Sequence, residues 1–94
     1  MPVPQPEAVL QRSDRLSWRV LEGDAVILHP EAGTLHRLNG TGTRLWELMD
    51  GARDLAAIAQ LLTDEYEVDL PTATEEVVAV AGDLVDAGLV DVKA

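Results

Sequence analysis

Three observations predict an α+β domain, a three-stranded antiparallel sheet followed by three helices. Short extended runs joined by turn residues fill the stretch from Leu16 to Leu38, and capped amphipathic segments fill the stretch after it. The 94 residues, 47% of them hydrophobic, suffice for one core and not for two.

Residues 1 to 14 hold three prolines and no apolar periodicity, which predicts a flexible N-terminal arm outside the core and a single domain over 15 to 94. Leu16 to Leu21 alternates in part and ends at the turn Glu22-Gly23-Asp24. Ala25 to His29 is a short apolar run closed by Pro30. Thr34 to Leu38, TLHRL, follows the turn Pro30-Glu31-Ala32-Gly33 and supplies a third strand. Short connections make the three a meander, whose two outer strands leave open edges.

Asn39 is placed to cap a helix from about Gly40 to Met49, where Leu45, Trp46, Leu48 and Met49 recur at the spacing of one buried face before Gly51 stops it. A second helix runs from an Asp54 cap to about Tyr66, with Leu55, Ile58, Ala59, Leu61 and Leu62 as its apolar side. Asp69 caps a third, Pro71 is tolerated in its first turn, and Gly88 ends it as a left-handed cap before Leu89-Val90. Trp46 belongs to the core by its spacing. Trp18 alternates with Val20 and belongs to the core or its rim.

Helix three carries a wide apolar surface. At 100° per residue, Val80, Leu84, Val77, Ala81, Val85 and Val78 span an arc of roughly 160°, broader than a core-facing stripe requires. Either the sheet and the other helices cover this arc, or one margin (Thr74, Val78, Ala81 and Val85) walls a groove against the third strand. Gly82 lies beside that margin. A helix-interior glycine costs about 1 kcal/mol relative to alanine, a cost understandable if a backbone passes close to it.

Net charge is −10, unevenly placed: residues 1 to 53 carry six arginines against seven carboxylates, residues 54 to 94 one lysine against ten. An acidic surface with few cations disfavours a phosphate backbone, so nucleic acid is not an expected partner. The acidic half is either a solvated face or a field that attracts a basic partner. Apolar runs are far shorter than a membrane span, and the N-terminus lacks a basic stretch followed by an apolar one, so a cytoplasmic location and no membrane partner are expected.

Catalytic patterns are not found. No cysteine offers a thiolate, and His29 and His36 stand on neighbouring strands without the spacing of a metal site. The run Gly40 to Thr43, GTGT, has no following lysine and no preceding parallel strand, so it reads as helix-start chemistry and not as a nucleotide loop. No metal, no cofactor and no enzymatic activity are expected.

The pattern LNxTGxxxWxLxDG, carried by Leu38-Asn39, Thr41-Gly42, Trp46, Leu48 and Asp50-Gly51, together with VILHPEAG before it and the Gly88-Leu89 ending, resembles the PqqD-like family, also called RiPP recognition elements, over roughly Trp18 to Val90. The resemblance implies a winged-helix-turn-helix-like fold and a non-catalytic adaptor. Such an adaptor captures the leader of a ribosomally made precursor peptide, as in pyrroloquinoline-quinone or lasso-peptide biosynthesis, and presents it to a modifying enzyme or leader peptidase. Carried onto this chain, Thr34, Leu35, His36, Arg37 and Leu38 would receive the peptide as an added strand. Thr74, Val78, Ala81, Gly82 and Val85 would form the other wall. The alternative is a winged-helix regulator that binds DNA or another protein; its DNA form needs cations on helix three, which from Pro71 to Ala87 has none.

Overall fold

The computed structural model describes residues 4 to 93. In chain order the elements are β1 (Val9–Arg12), β2 (Ser17–Leu21), β3 (Asp24–His29), β4 (Thr34–Leu38), α1 (Gly40–Leu48), β5 (Asp50–Asp54), α2 (Leu55–Glu65), α3 (Leu70–Asp86) and β6 (Val90–Lys93). The α+β class holds, with one sheet more than the sequence predicts. The expected meander is a sheet of order β2-β3-β4, and a second antiparallel sheet has the order β5-β1-β6.

The first sheet follows from local chemistry. Glu22 and Gly23 both have positive φ, 54° and 85°, the requirement of a two-residue hairpin loop whose twist matches the strands it joins. The register Trp18↔Ile27↔His36 and Val20↔Ala25↔Leu38 puts these six on one face, where Ala25 and Ile27 are fully buried. Trp18 stands on an outer strand of that face and is 38% exposed, so it is rim and not centre.

Each helix starts on its predicted cap and the last ends on the predicted Gly88, whereas α1 already ends at Met49 and the Gly51 expected to stop it lies in β5. Asn39 Oδ1 accepts from the Gly42 N–H at 2.8 Å, and a Cβ at Gly42 would approach that oxygen to 3.2 Å, which explains Asn and Gly at this spacing. Asp54 accepts from Ala57 N–H, and Asp69 from Thr72 N–H. Gly88, at φ 74°, lets its own N–H reach the Val85 carbonyl and that of Leu89 reach the Leu84 carbonyl, the paired bonds of a Schellman ending.

The N-terminal segment departs from expectation. Residues 1 to 3 of the predicted arm lie outside the described residues, but Val9–Arg12 is the central strand of the second sheet, and Leu10 is fully buried. The domain therefore begins before residue 15. Ala8 and Pro6 carbonyls accept from Leu55 and Ala56 N–H at 3.0 and 2.8 Å, satisfying first-turn amides of α2 that have no partner within the helix. Asp50–Asp54, where the sequence offers only a helix stop at Gly51 and a cap at Asp54, pairs with β1 on one side, and Val90–Lys93 pairs with it on the other. No local periodicity announces strands this short, since their stability comes from partners distant in the chain.

Leu10, Ile27, Leu45, Trp46, Met49, Leu55, Ile58, Val77 and Leu89 fill the core. Trp46 stacks edge-to-face on Trp18, ring centres 5.6 Å apart, with the Arg12 guanidinium 5.4 Å from the Trp18 ring. Arg12 Nη1 also donates to the Trp46 and Glu47 carbonyls at 2.9 and 2.7 Å, closing the end of α1.

Candidate functional site

β4 exists because TLHRL is a short β-compatible run held between a left-handed Gly33 and the Asn39 cap. It pairs with β3 alone among the described residues, so its second side presents an open row of N–H and C=O groups. Thr43, buried at the start of α1, holds the strand in place: its Oγ1 donates to the Leu38 carbonyl at 3.2 Å and accepts from the Ala25 N–H at 2.7 Å. One hydroxyl thus joins α1, β3 and the end of β4.

The side chains of this edge alternate. His36 and Leu38 face the helices and are half-buried, with His36 Nε2 3.0 Å from Thr34 Oγ1. Leu35 and Arg37 face the opposite way. Leu35 is 69% exposed, the largest value among the exposed large hydrophobic residues described, and Arg37 Nε donates to Asp24 Oδ2 at 3.1 Å. That outward face continues across the sheet in two rows, Ser17↔Leu28↔Leu35 and Arg19↔Val26↔Arg37. A shallow hollow of about 170 Å³ lies among Ser17, Arg19, Val26, Leu28 and Leu35. Sequence reasoning passed over Arg19, Val26 and Leu28. The signal for them was available in the hairpin register, which places them beside Leu35 and Arg37.

Helix α3 divides the residues expected on its margin. Thr74, Val78 and Val85 are half-buried, and Thr74 Oγ1 donates to the Leu70 carbonyl of its own helix at 2.8 Å. Ala81 is fully buried and belongs to the core, not to a groove wall, because it lies only 40° around the helix from Val77 at 100° per residue. At Gly82 a Cβ would meet Pro4 Cδ at 3.7 Å. What passes this glycine is the Pro4 ring of the chain's own N-terminal segment. α3 packs chiefly on α2, whereas the principal neighbours of β4 are β3 and α1.

Away from this edge, a polar hollow of about 350 Å³ is lined by Ser13, Asp14, Arg15, His29, Glu31, Gly88 and Asp91. His29 Nδ1 accepts there from the Ala32 N–H at 3.3 Å, which leaves Nε2 as the protonated nitrogen of the neutral ring. Among the described residues no group of three His, Asp or Glu side chains is placed to hold a metal. No described helix is long and apolar enough to cross a membrane.

Residues 24 to 90 match the family described as coenzyme PQQ synthesis protein D (PqqD). Over 56 residues the chain is 39% identical to the PqqA binding protein of Klebsiella pneumoniae (strain 342), covering 60% of this chain and 59% of that protein. It is 36% identical to the PqqA binding protein of Kluyvera intermedia over a stretch of the same length. The matched stretch spans about three-fifths of the length of these curated relatives. Among solved structures, TbiB1 in complex with the TbiA(beta) leader peptide superposes with a TM-score of 0.81 at 26% identity, covering 89% of this chain and 98% of that one. Lasso peptide synthetase B1 complexed with the leader peptide gives 0.80 at 25% identity, covering 89% and 99%.

Proposed function

The chain belongs to the PqqD family, and we propose that it is a non-catalytic cytoplasmic adaptor that binds the leader of a ribosomally made precursor peptide by strand addition and presents it to a modifying enzyme or leader peptidase. The open edge of β4 carries this reading. An extended peptide that lies along Thr34, Leu35, His36, Arg37 and Leu38 satisfies a ladder of backbone groups that otherwise face water, and its alternate side chains fall on the two faces of the sheet. Thr74, Val78 and Val85, half-buried on α3, supply the apolar wall on the inner side. Ala81, inside the core, and Gly82, beside Pro4, take no part.

Support comes from the company the fold keeps: the superposing TbiB1 and synthetase B1 structures hold leader peptides, and the sequence relatives are PqqA binding proteins. The DNA-binding alternative lacks its chemistry, because α3 from Leu70 to Asp86 carries four carboxylates and no cation.

Hydrogen exchange with a synthetic leader peptide tests the reading. Saturation is expected to slow exchange at the Thr34 to Leu38 amides whose N–H faces the open side, and His36→Pro to weaken binding if its N–H is among them. Unchanged exchange along β4 in a saturated complex overturns strand addition.

A further inference from the structure

The outward face of β4 presents an apolar group and a cation two residues apart. On an open edge such residues are unusual company: exposed edges are commonly blunted by charge, proline or a bulge, because an apolar edge invites pairing with another chain. Leu35 instead stands 69% exposed, and the apolar surface continues behind it through Leu28 and Val26. Arg37 is held in place by Asp24 through Nε alone, and among the described residues its two Nη groups have no partner.

In the same row as Arg37 lies Arg19, the one cation among the described residues with no ion pair or side-chain hydrogen bond. Arg12, Arg15, Arg44, Arg53 and Lys93 each engage a carboxylate or a carbonyl. Two guanidinium groups against the single carboxylate of Asp24 make this patch locally positive on a chain whose net charge is −10.

We infer that this face selects the peptide: the strand that adds to β4 carries an apolar residue opposite Leu35 and, two positions along, a carboxylate opposite Arg37. This rests on the strand-addition reading. A residue directly across an antiparallel ladder stands with its Cβ about 4.5–5.5 Å from its partner, close enough for a side-chain pair, and like charges facing each other there oppose pairing. An apolar side chain opposite Leu35 extends the Leu28–Leu35 band and removes exposed leucine surface from water. A carboxylate opposite Arg37 meets Nη donors whose plane Asp24 already fixes, so little side-chain freedom is lost on pairing. Lysine or arginine at that position would face Arg37 with Arg19 in the row behind it. The recognised class is therefore an extended segment with an aliphatic or aromatic residue and an Asp or Glu at a spacing of two, the order set by the strand direction.

Selection from a phage-displayed library of random dodecapeptides tests this on the whole chain. Peptides selected on the natural protein, and shown by hydrogen exchange to protect Thr34 to Leu38, are expected to be enriched in an acidic residue two positions from an apolar one. Arg37→Gln should erase the acidic preference, and Arg37→Glu should replace it with Lys or Arg. A peptide selected on the natural protein should bind Arg37→Glu at least about tenfold more weakly, and an acidic-to-Arg change in that peptide should restore affinity. Leu35→Ser should weaken binding without altering the charge preference. Peptides that protect β4 yet show no acidic enrichment, or whose affinity ignores both Arg37 variants, overturn this inference while strand addition stands. Selected peptides that leave the β4 amides unprotected overturn both.

Discussion

The two sheets differ in how they are built. β2, β3 and β4 are neighbours in sequence, joined by tight turns, and they leave an edge and one face open to water. β5, β1 and β6 come from three distant parts of the chain and enclose Leu10, the only fully buried residue on the central strand. The local sheet presents a surface, and the non-local one fastens the ends of helices. Ala8 and Pro6, just before β1, supply carbonyls to the first turn of α2, and Arg12 at the end of β1 closes the end of α1. A strand that must remain available to a partner can be marginally stable only if something else holds its neighbours still, and here that role falls to the sheet with the longest loop closures.

The sharpest way to break this comparison is to remove each sheet's centre of gravity in turn. Leu10→Asp buries an unpaired charge in the core and is expected to unfold the domain, as is Leu84→Asp on α3, whereas Leu35→Asp on the open face should change stability by no more than about 0.5 kcal/mol. Urea denaturation followed by far-ultraviolet circular dichroism reads all three. A folded Leu10→Asp protein would show that the second sheet is an ornament.

A smaller effect is expected at Arg12, where alanine removes hydrogen bonds from a charged group to the end of α1 and the contact with Trp18, together about 1.5–3 kcal/mol. Tryptophan fluorescence should shift in the folded variant as the ring environment changes. If the urea midpoint stays put, the clasp lies elsewhere in β1.

Val78→Asp and Val85→Asp sharpen the comparison from the helix side. Both residues are half-buried, so each variant should lose less stability than Leu84→Asp and proportionately more leader affinity, measured by titration calorimetry against chemical denaturation. Equal destabilisation of all three would make this margin plain core.

The smallest effect concerns pH. Glu65 is held below its usual range, first by the hydrogen bond from Arg44, and Asp50 is lowered first by the Ala52 N–H. A folded-state value below the unfolded one contributes stability above the unfolded carboxylate range and loses it as pH falls through the folded value. Acid should therefore lower the urea midpoint, and Glu65→Gln should flatten that dependence while costing less than about 1 kcal/mol at pH 7, since the pair is partly solvated. An unaltered pH profile in Glu65→Gln would remove this pair from the account.

What was legible in the sequence is what local chemistry decides. Asn39, Asp54 and Asp69 cap the helices, Gly88 ends the last one, and Glu22-Gly23 turns the first hairpin, because each satisfies or permits a backbone group within four residues of itself. The β4 edge was legible for the same reason, as a short extended run squeezed between a turn and a cap. The site's helical side was only half readable: periodicity placed Thr74, Val78 and Val85 on a margin but could not say that Ala81 would be sealed in the core or that Pro4 would lie against Gly82. The second sheet belongs to tertiary structure alone. Four or five residues such as Val9–Arg12 or Val90–Lys93 have too few contacts of their own to favour an extended form. They become strands only when the folded helices bring chain segments some 40 to 80 residues apart within hydrogen-bonding distance, where one buried leucine and a shared ladder stabilise all three together.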